Sequence, residues 1–210
     1  MGLCIRNEFC IIHVAAITAA NKGMIPGRKE EKNMKKVLLL MMSLCLLCSV
    51  AFAEETLELN WEDFAAQEVA SAGEFQQITI PDQPTVYFWI PSVMSSVDVS
   101  MIEGPFQPTA LYATEDQSNS VVVFVQEITS LEEYLGMLEK EGGASDFRNL
   151  TINGVDCVSY GVESANLETL IYPVTENIII SFNFSPMNGD EGWDAVKGVI
   201  VSSVQVAAAE

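Results

Sequence analysis

The stretch 188–194, NGDEGWD, crowds three carboxylates together. Asp190, Glu191 and Asp194 could supply oxygens to a hard cation such as Ca²⁺. Their spacing matches no EF-hand loop, however, and acidic residues at a helix start are favoured by the helix dipole with or without a metal. They are read as a helix start, with weak divalent-cation binding as the alternative. Tyr87 and Trp89 stand two apart on one face of an expected strand. Exposed, they would stack on a sugar or peptide; buried, they are core beneath a covering element, the commoner use of large aromatics. Glu132, Glu133, Glu139 and Glu141 fall on the polar side of an expected helix. A carboxylate pair doing acid–base work needs a cleft that separates the two pKa values, so these are read as a solvated face.

His13 is the single histidine. It precedes an export signal, so the exported domain carries no Ser-His-acid triad, no Cys-His dyad and no His-containing metal site. A hydrolase built on this chain would have to use carboxylates, Lys140, Lys197 or Tyr. No catalytic, cofactor-binding or metal-ligating residue is assigned, and no cofactor is expected.

The export signal runs over residues 34–53. Lys35 and Lys36 follow Met34, Val37 to Val50 are almost all apolar, and Ala51-Phe52-Ala53 is a small-x-small cleavage site before Glu54. The apolar run is too short for a lasting transmembrane helix. Leu precedes both Cys45 and Cys48, where a lipoprotein needs a small residue, so cleavage between Ala53 and Glu54 without a lipid is expected. Residues 1–33 lie upstream of this signal. Lys29-Glu30-Glu31 is encodable by a purine-rich ribosome-binding sequence just ahead of the Met34 codon. Residues 1–33 are therefore read as a mis-called leader that does not fold, and residues 54–210 as a single domain.

Cleavage of 53 of the 210 residues leaves 157, enough for one domain with a sizeable core. The whole chain has a formal charge of −19, and the leader holds seven of its ten cations and three of its 29 acids. Lys140, Arg148 and Lys197 then face 26 carboxylates, a net charge of −23. That balance opposes nucleic acid and anionic lipid, which are bound largely through Lys and Arg. It favours a basic protein or peptide as partner. Cys157 is the one cysteine after the signal, so no internal disulfide can form there, and it is read as a small buried residue in a strand. The sequons at Asn149 and Asn183 are discounted because the leader is bacterial in style.

The elements that must position these residues follow from periodicity. Three helices are expected. Asn60 would cap "NWEDFAAQEVASAG", with Trp61, Phe64, Ala65, Val69 and Ala72 on one face and Gly73 as the stop. Ser130 and Glu133 form a capping box ahead of Leu131, Tyr134, Leu135 and Leu138, and Gly142 ends that helix. Trp193, Val196 and Ile200 mark the third. The rest alternates as strands: "FQQITI" with "TVYFWIP", "TALYAT" with "SVVVFVQEI", "FRNLTI" with "VDCVSYGV" across Asn153-Gly154, and "LETLIYPV" with "NIIISFNFSP". Asn-Gly is the strongest short hairpin signal because both residues tolerate positive φ. Prolines 81, 91, 173 and 186 fall at strand ends. Short connections imply antiparallel pairing, and strands apolar on both sides imply cover on both faces. The expected fold class is α+β, an antiparallel β-sheet covered by helices on both faces.

An early strand pair ending "TVYFWIPS", a Val-rich strand leading into "SLEEYLGML", then "LTINGVDCVSYGVES", "LETLIYPVTENIIISFNFSP" and a tail helix ending "VSSVQ" together resemble the PsbP-like superfamily over most of residues 74–205. The resemblance lies in pattern and order, and no functional motif is carried over. It implies an α/β/α sandwich and membership of a group that includes extrinsic photosystem subunits, a nuclear-transport cofactor and bacterial exported proteins, mostly binding or assembly proteins. The expected function is a secreted, non-catalytic binding or assembly module with no membrane contact after cleavage. A carboxylate-based enzyme acting on an extracellular polymer is the alternative. It requires two Asp or Glu converging in a pocket.

Overall fold

The computed structural model describes residues 56–65, 68–100, 102 and 107–207. The signal peptide over 34–53 and its Ala53–Glu54 junction lie outside the described residues, as do residues 1–33.

The chain runs β1 (Leu57–Leu59), α1 (Glu62–Ala65), a 3-10 turn (Glu68–Ala72), β2 (Gly73–Ile78), β3 (Val86–Pro91), β4 (Met94–Ser96), β5 (Ala110–Thr114) and β6 (Ser120–Glu127). It continues with α2 (Leu131–Glu141), β7 (Ser145–Ile152), β8 (Val155–Val162), a 3-10 turn (Glu163–Ala165), β9 (Leu167–Pro173), β10 (Ile178–Ser185), α3 (Glu191–Ser202) and β11 (Gln205–Val206). The fold is α+β. Its main sheet has eight strands in the order β1-β7-β8-β9-β10-β6-β5-β4, and a smaller sheet has the order β11-β3-β2.

All four expected strand pairs form as antiparallel neighbours. Asn153 and Gly154 take φ of 48° and 80°, the left-handed turn their types permit. Two features depart from the expectation. The main sheet is mixed, because β1 lies parallel to β7, with Leu57 beside Leu150 and Leu59 beside Ile152. The pair β2–β3 stands apart as its own sheet, joined by the two-residue β11.

That second sheet alters the expected layering. On one face of the main sheet, Val121, Val123, Leu170, Tyr172, Ile180, Phe182 and Phe184 form one core with Val86, Phe88 and Ile90 of β3 and with Trp193 and Ile200 of α3. Phe88 meets Tyr112 and Phe182 edge-on, with centroids 5.9 and 5.2 Å apart. The cover on this face is therefore a sheet plus a helix. On the opposite face, Tyr160, Val162, Leu167, Ile171 and Ile179 form a second cluster, against which Leu131, Tyr134, Leu135 and Leu138 of α2 pack.

The first expected helix is broken into α1 and the 3-10 turn. Asn60 does not cap it: its side chain donates to Glu58, while the Trp61 N–H donates to Asn153 Oδ1 at 2.9 Å. Trp61 and Phe64 are half-buried and Ala65 is exposed, so only a short stretch is gripped by the core. The Val69 side chain lies outside the described ones.

Candidate functional site

Helix α3 positions the site. Asp190 caps it, accepting the Trp193 N–H at 2.8 Å, and the Trp193 indole N–H donates to Pro186 O at 2.8 Å. One turn further on, Lys197 is buried although its neighbours are Val196, Val199 and Ile200. Its ammonium donates to Glu168 of β9 and to Met187 O at 2.9 Å, and it pairs with Asp194 at 2.9 Å. Three N–H bonds thus meet three acceptors, which is what a buried ammonium needs.

The Lys197 cluster forms one wall of a groove of about 1150 Å³ between α3 and the β1-β7-β8-β9 end of the main sheet. Ser159 on β8 and Gly198 on α3 are small residues of its lining, and Gly161 on β8 leaves room for Met187. A Cβ built on Gly198 meets nothing within 4 Å, whereas one on Gly161 would meet Met187 Sδ at 2.8 Å. Leu170 and Phe184 lie on the floor and Leu57 at the edge, with Asp146, Glu163 and exposed Arg148 around the mouth. In all, four carboxylates (Asp146, Glu163, Glu168, Asp194) face two cations (Arg148, Lys197).

The residues singled out from sequence are placed as follows. Asp190 and Asp194 serve the cap and the Lys197 pair, and Glu191 is exposed in the first turn. Among the described residues no three Asp, Glu, Cys or His converge on a common metal position. Trp89 is 1% exposed, and its indole N–H donates to Ala70 O, so a Tyr87–Trp89 stacking platform is excluded. Tyr87 is half-buried opposite Gln205. Glu132, Glu133 and Glu139 are exposed on α2, and the Glu141 side chain lies outside the described ones. Asn183 is buried, accepting from Thr169 Oγ1 at 2.8 Å and donating to Val122 O, so its sequon is closed to a glycan. Asn149 is exposed.

Cys157 is buried and free. Burial, helped by the Asp156 charge, pushes its thiol up to about 12. The thiolate is the reactive form, so this cysteine is chemically inert at neutral pH. Burial likewise pushes Tyr172 up to about 12.

Sequence reasoning did not find the groove. Asp146, Glu163 and Glu168 lie on three different elements, and their approach depends on the order of strands across the sheet. One signal was available: a lone lysine among valines must find a carboxylate when its helix packs.

A comparison with protein-family models finds no match, and a comparison with curated proteins finds none either. Among solved structures, the chain is similar to the solution structure of cyanobacterial PsbP (CyanoP) from Synechocystis sp. PCC 6803. The two are 15% identical with a TM-score of 0.43, over 65% of this chain and 94% of that one. Among the described residues no helix is long and apolar enough to cross a membrane.

Proposed function

We propose that this is an exported PsbP-like binding module, non-catalytic, whose groove between α3 and the β7–β8 hairpin takes a basic partner. The observation that carries this reading is the groove itself, where carboxylates outnumber cations and the Lys197 ammonium is fully occupied by Glu168, Asp194 and Met187. The acidic balance of the whole chain points the same way. A reading as a carboxylate-based enzyme draws support from Glu168 and Asp194, which share one groove. Lys197 lies behind those two carboxylates and donates to both, which holds them as an ion-paired cluster rather than as a free acid and base.

Calorimetric titration with poly-lysine, poly-glutamate and duplex DNA tests the reading. Poly-lysine binds, and its affinity falls as salt rises, while the two polyanions give no heat. Equal binding of poly-lysine and poly-glutamate would sink it, and turnover of a neutral polysaccharide by the purified protein would favour the enzyme.

A further inference from the structure

We propose that Asn153 is a latent modification site: its carboxamide ties β1 and α3 to the main sheet, and its conversion to aspartate or isoaspartate unties them. The inference goes beyond the binding-module reading and does not depend on it. Asn153 and Gly154 form the two-residue turn between β7 and β8, and both take positive φ. The turn needs only the backbone of Asn153. Its side chain has a second role. Nδ2 donates to Ser202 O at 2.9 Å and to Val204 O at 2.8 Å, and Oδ1 accepts the Trp61 N–H at 2.9 Å. The Asn153 N–H donates to Leu59 O at 2.9 Å. The Nδ2 bonds satisfy carbonyls at and just past the end of α3, where the helix offers no further partner. β1 is only three residues long and its Leu57 is 52% exposed, so it gains much from this anchorage. Leu57 and Leu59 of β1 and Val201 of α3 line the groove.

Asn followed by Gly is also a dipeptide prone to modify itself, because glycine has no side chain to hinder its own nitrogen. The Gly154 nitrogen attacks Asn153 Cγ. A C–N bond forms, the Cγ–Nδ2 bond breaks, and the proton of the Gly154 N–H leaves with Nδ2 as ammonia. Water then opens the cyclic imide at either carbonyl, giving aspartate or isoaspartate. Water is the one co-reactant, and Gly154 is exposed to it. In the folded protein, Nδ2 and Oδ1 must first give up three hydrogen bonds, so the fold keeps the site latent. The product does not restore them. A carboxylate only accepts, and here it faces two carbonyl oxygens at the negative end of α3. It turns outward and gives up Trp61 as well. Isoaspartate also adds a methylene to the backbone of the turn. The change therefore runs one way.

The chain carries its own comparator. Asn188-Gly189 is a second Asn-Gly pair, and Asn188 is exposed, with no side-chain hydrogen bond among the described residues. The full chain is incubated at pH 8, folded or in unfolding urea, and conversion at both pairs is followed by peptide mass spectrometry. Folding slows Asn153 by about tenfold or more and slows Asn188 less. Asn153→Asp supplies the product directly. The amides of residue 153 and Trp61 then exchange about tenfold faster or more, while those of β9 and β10 hold. Asn153→Gly keeps the positive φ at no steric cost and drops the side chain, so it frees the Trp61 amide even if the Asp variant fails to fold.

Equal conversion of Asn153 in the folded chain and in urea overturns the proposal, since nothing would then be guarding the site. So does unchanged exchange at Trp61 in whichever variants fold, which would make the side chain a bystander. Neither readout involves a basic ligand, so failure here leaves the binding-module reading standing, and failure of poly-lysine to bind leaves the Asn153 site standing.

Discussion

Helices α2 and α3 are nearly equal in length, 11 and 12 residues, and each begins on a side chain that accepts an N–H three residues on. They differ in what the rest of the molecule does to them. α2 lays one apolar stripe on the Ile171–Ile179 cluster and keeps Glu132, Glu133 and Glu139 in water. α3 packs beside the small sheet on one face of the main sheet and buries Trp193, Lys197, Val199, Ile200 and Val201. A helix held on one side is stabilised by its own sequence. A helix held on several sides takes its roles from distant strands, and this is why the groove lies beside α3.

Truncation should separate the two most clearly. Trp193→Ala removes a ring that packs on Phe184 and an indole donor, and should cost about 3–5 kcal/mol. Leu135→Ala on half-buried α2 should cost no more than about 2 kcal/mol. Urea melts of both variants, compared at the same slope, check the contrast. Similar losses would mean that α3 is no better anchored than α2.

Charge sharpens the same comparison. Lys197→Ala strands Glu168 in a largely enclosed position and should cost about 2–3 kcal/mol, less than a fully buried pair because Asp194 reaches solvent. Lys197→Met, which refills the volume, should recover part of that loss. Lys140→Ala near the end of α2 should stay within about 0.5 kcal/mol. A Lys197→Ala melt indistinguishable from that of Lys140→Ala would remove the structural argument for the groove wall.

The core beneath α3 also has a pH signature. The Cys157 thiol and the Tyr172 phenol keep their protons in the folded protein up to about pH 12. In the unfolded chain they release them near pH 9 and 10. The folded state then binds more protons, so stability falls with rising pH across that window and is unaffected at neutral pH. A loss of up to about 4 kcal/mol by pH 11 is expected, with a shallower slope in Cys157→Ala. Alkylation of the native thiol at pH 8 should be negligible until urea opens the core.

Much of this was legible in local sequence. The four hairpins, the extent of α2 and the turn at Asn153-Gly154 follow from periodicity and from residues that tolerate positive φ. The partners of Asn153 did not. Its side chain donates to Ser202 O and Val204 O and accepts from Trp61, tying the hairpin turn to the end of α3 and to the N-terminal segment, 49 to 92 residues away. The split of the strands into two sheets was equally hidden, because the third strand of the small sheet is two residues long and the hairpin β2–β3 reads the same in either sheet. The groove depended on both. Patterns specify which residues are apolar and where the chain turns; they leave open which distant strand edge lies beside which helix.

The caps give the smallest difference and the most direct one. Ser130→Ala deletes one acceptor at the start of α2, and the Glu133 N–H it served is exposed and can turn to water. The cost should be about 0.5–1 kcal/mol, with the groove unaffected. Asp190→Ala deletes an acceptor whose donor is the backbone of a buried Trp, with less water to take its place, and should cost about 1–2 kcal/mol. The same change releases the start of the helix that carries Lys197, so binding of poly-lysine should weaken in Asp190→Ala and hold in Ser130→Ala. Equal effects on binding would mean that the groove does not depend on how α3 is seated.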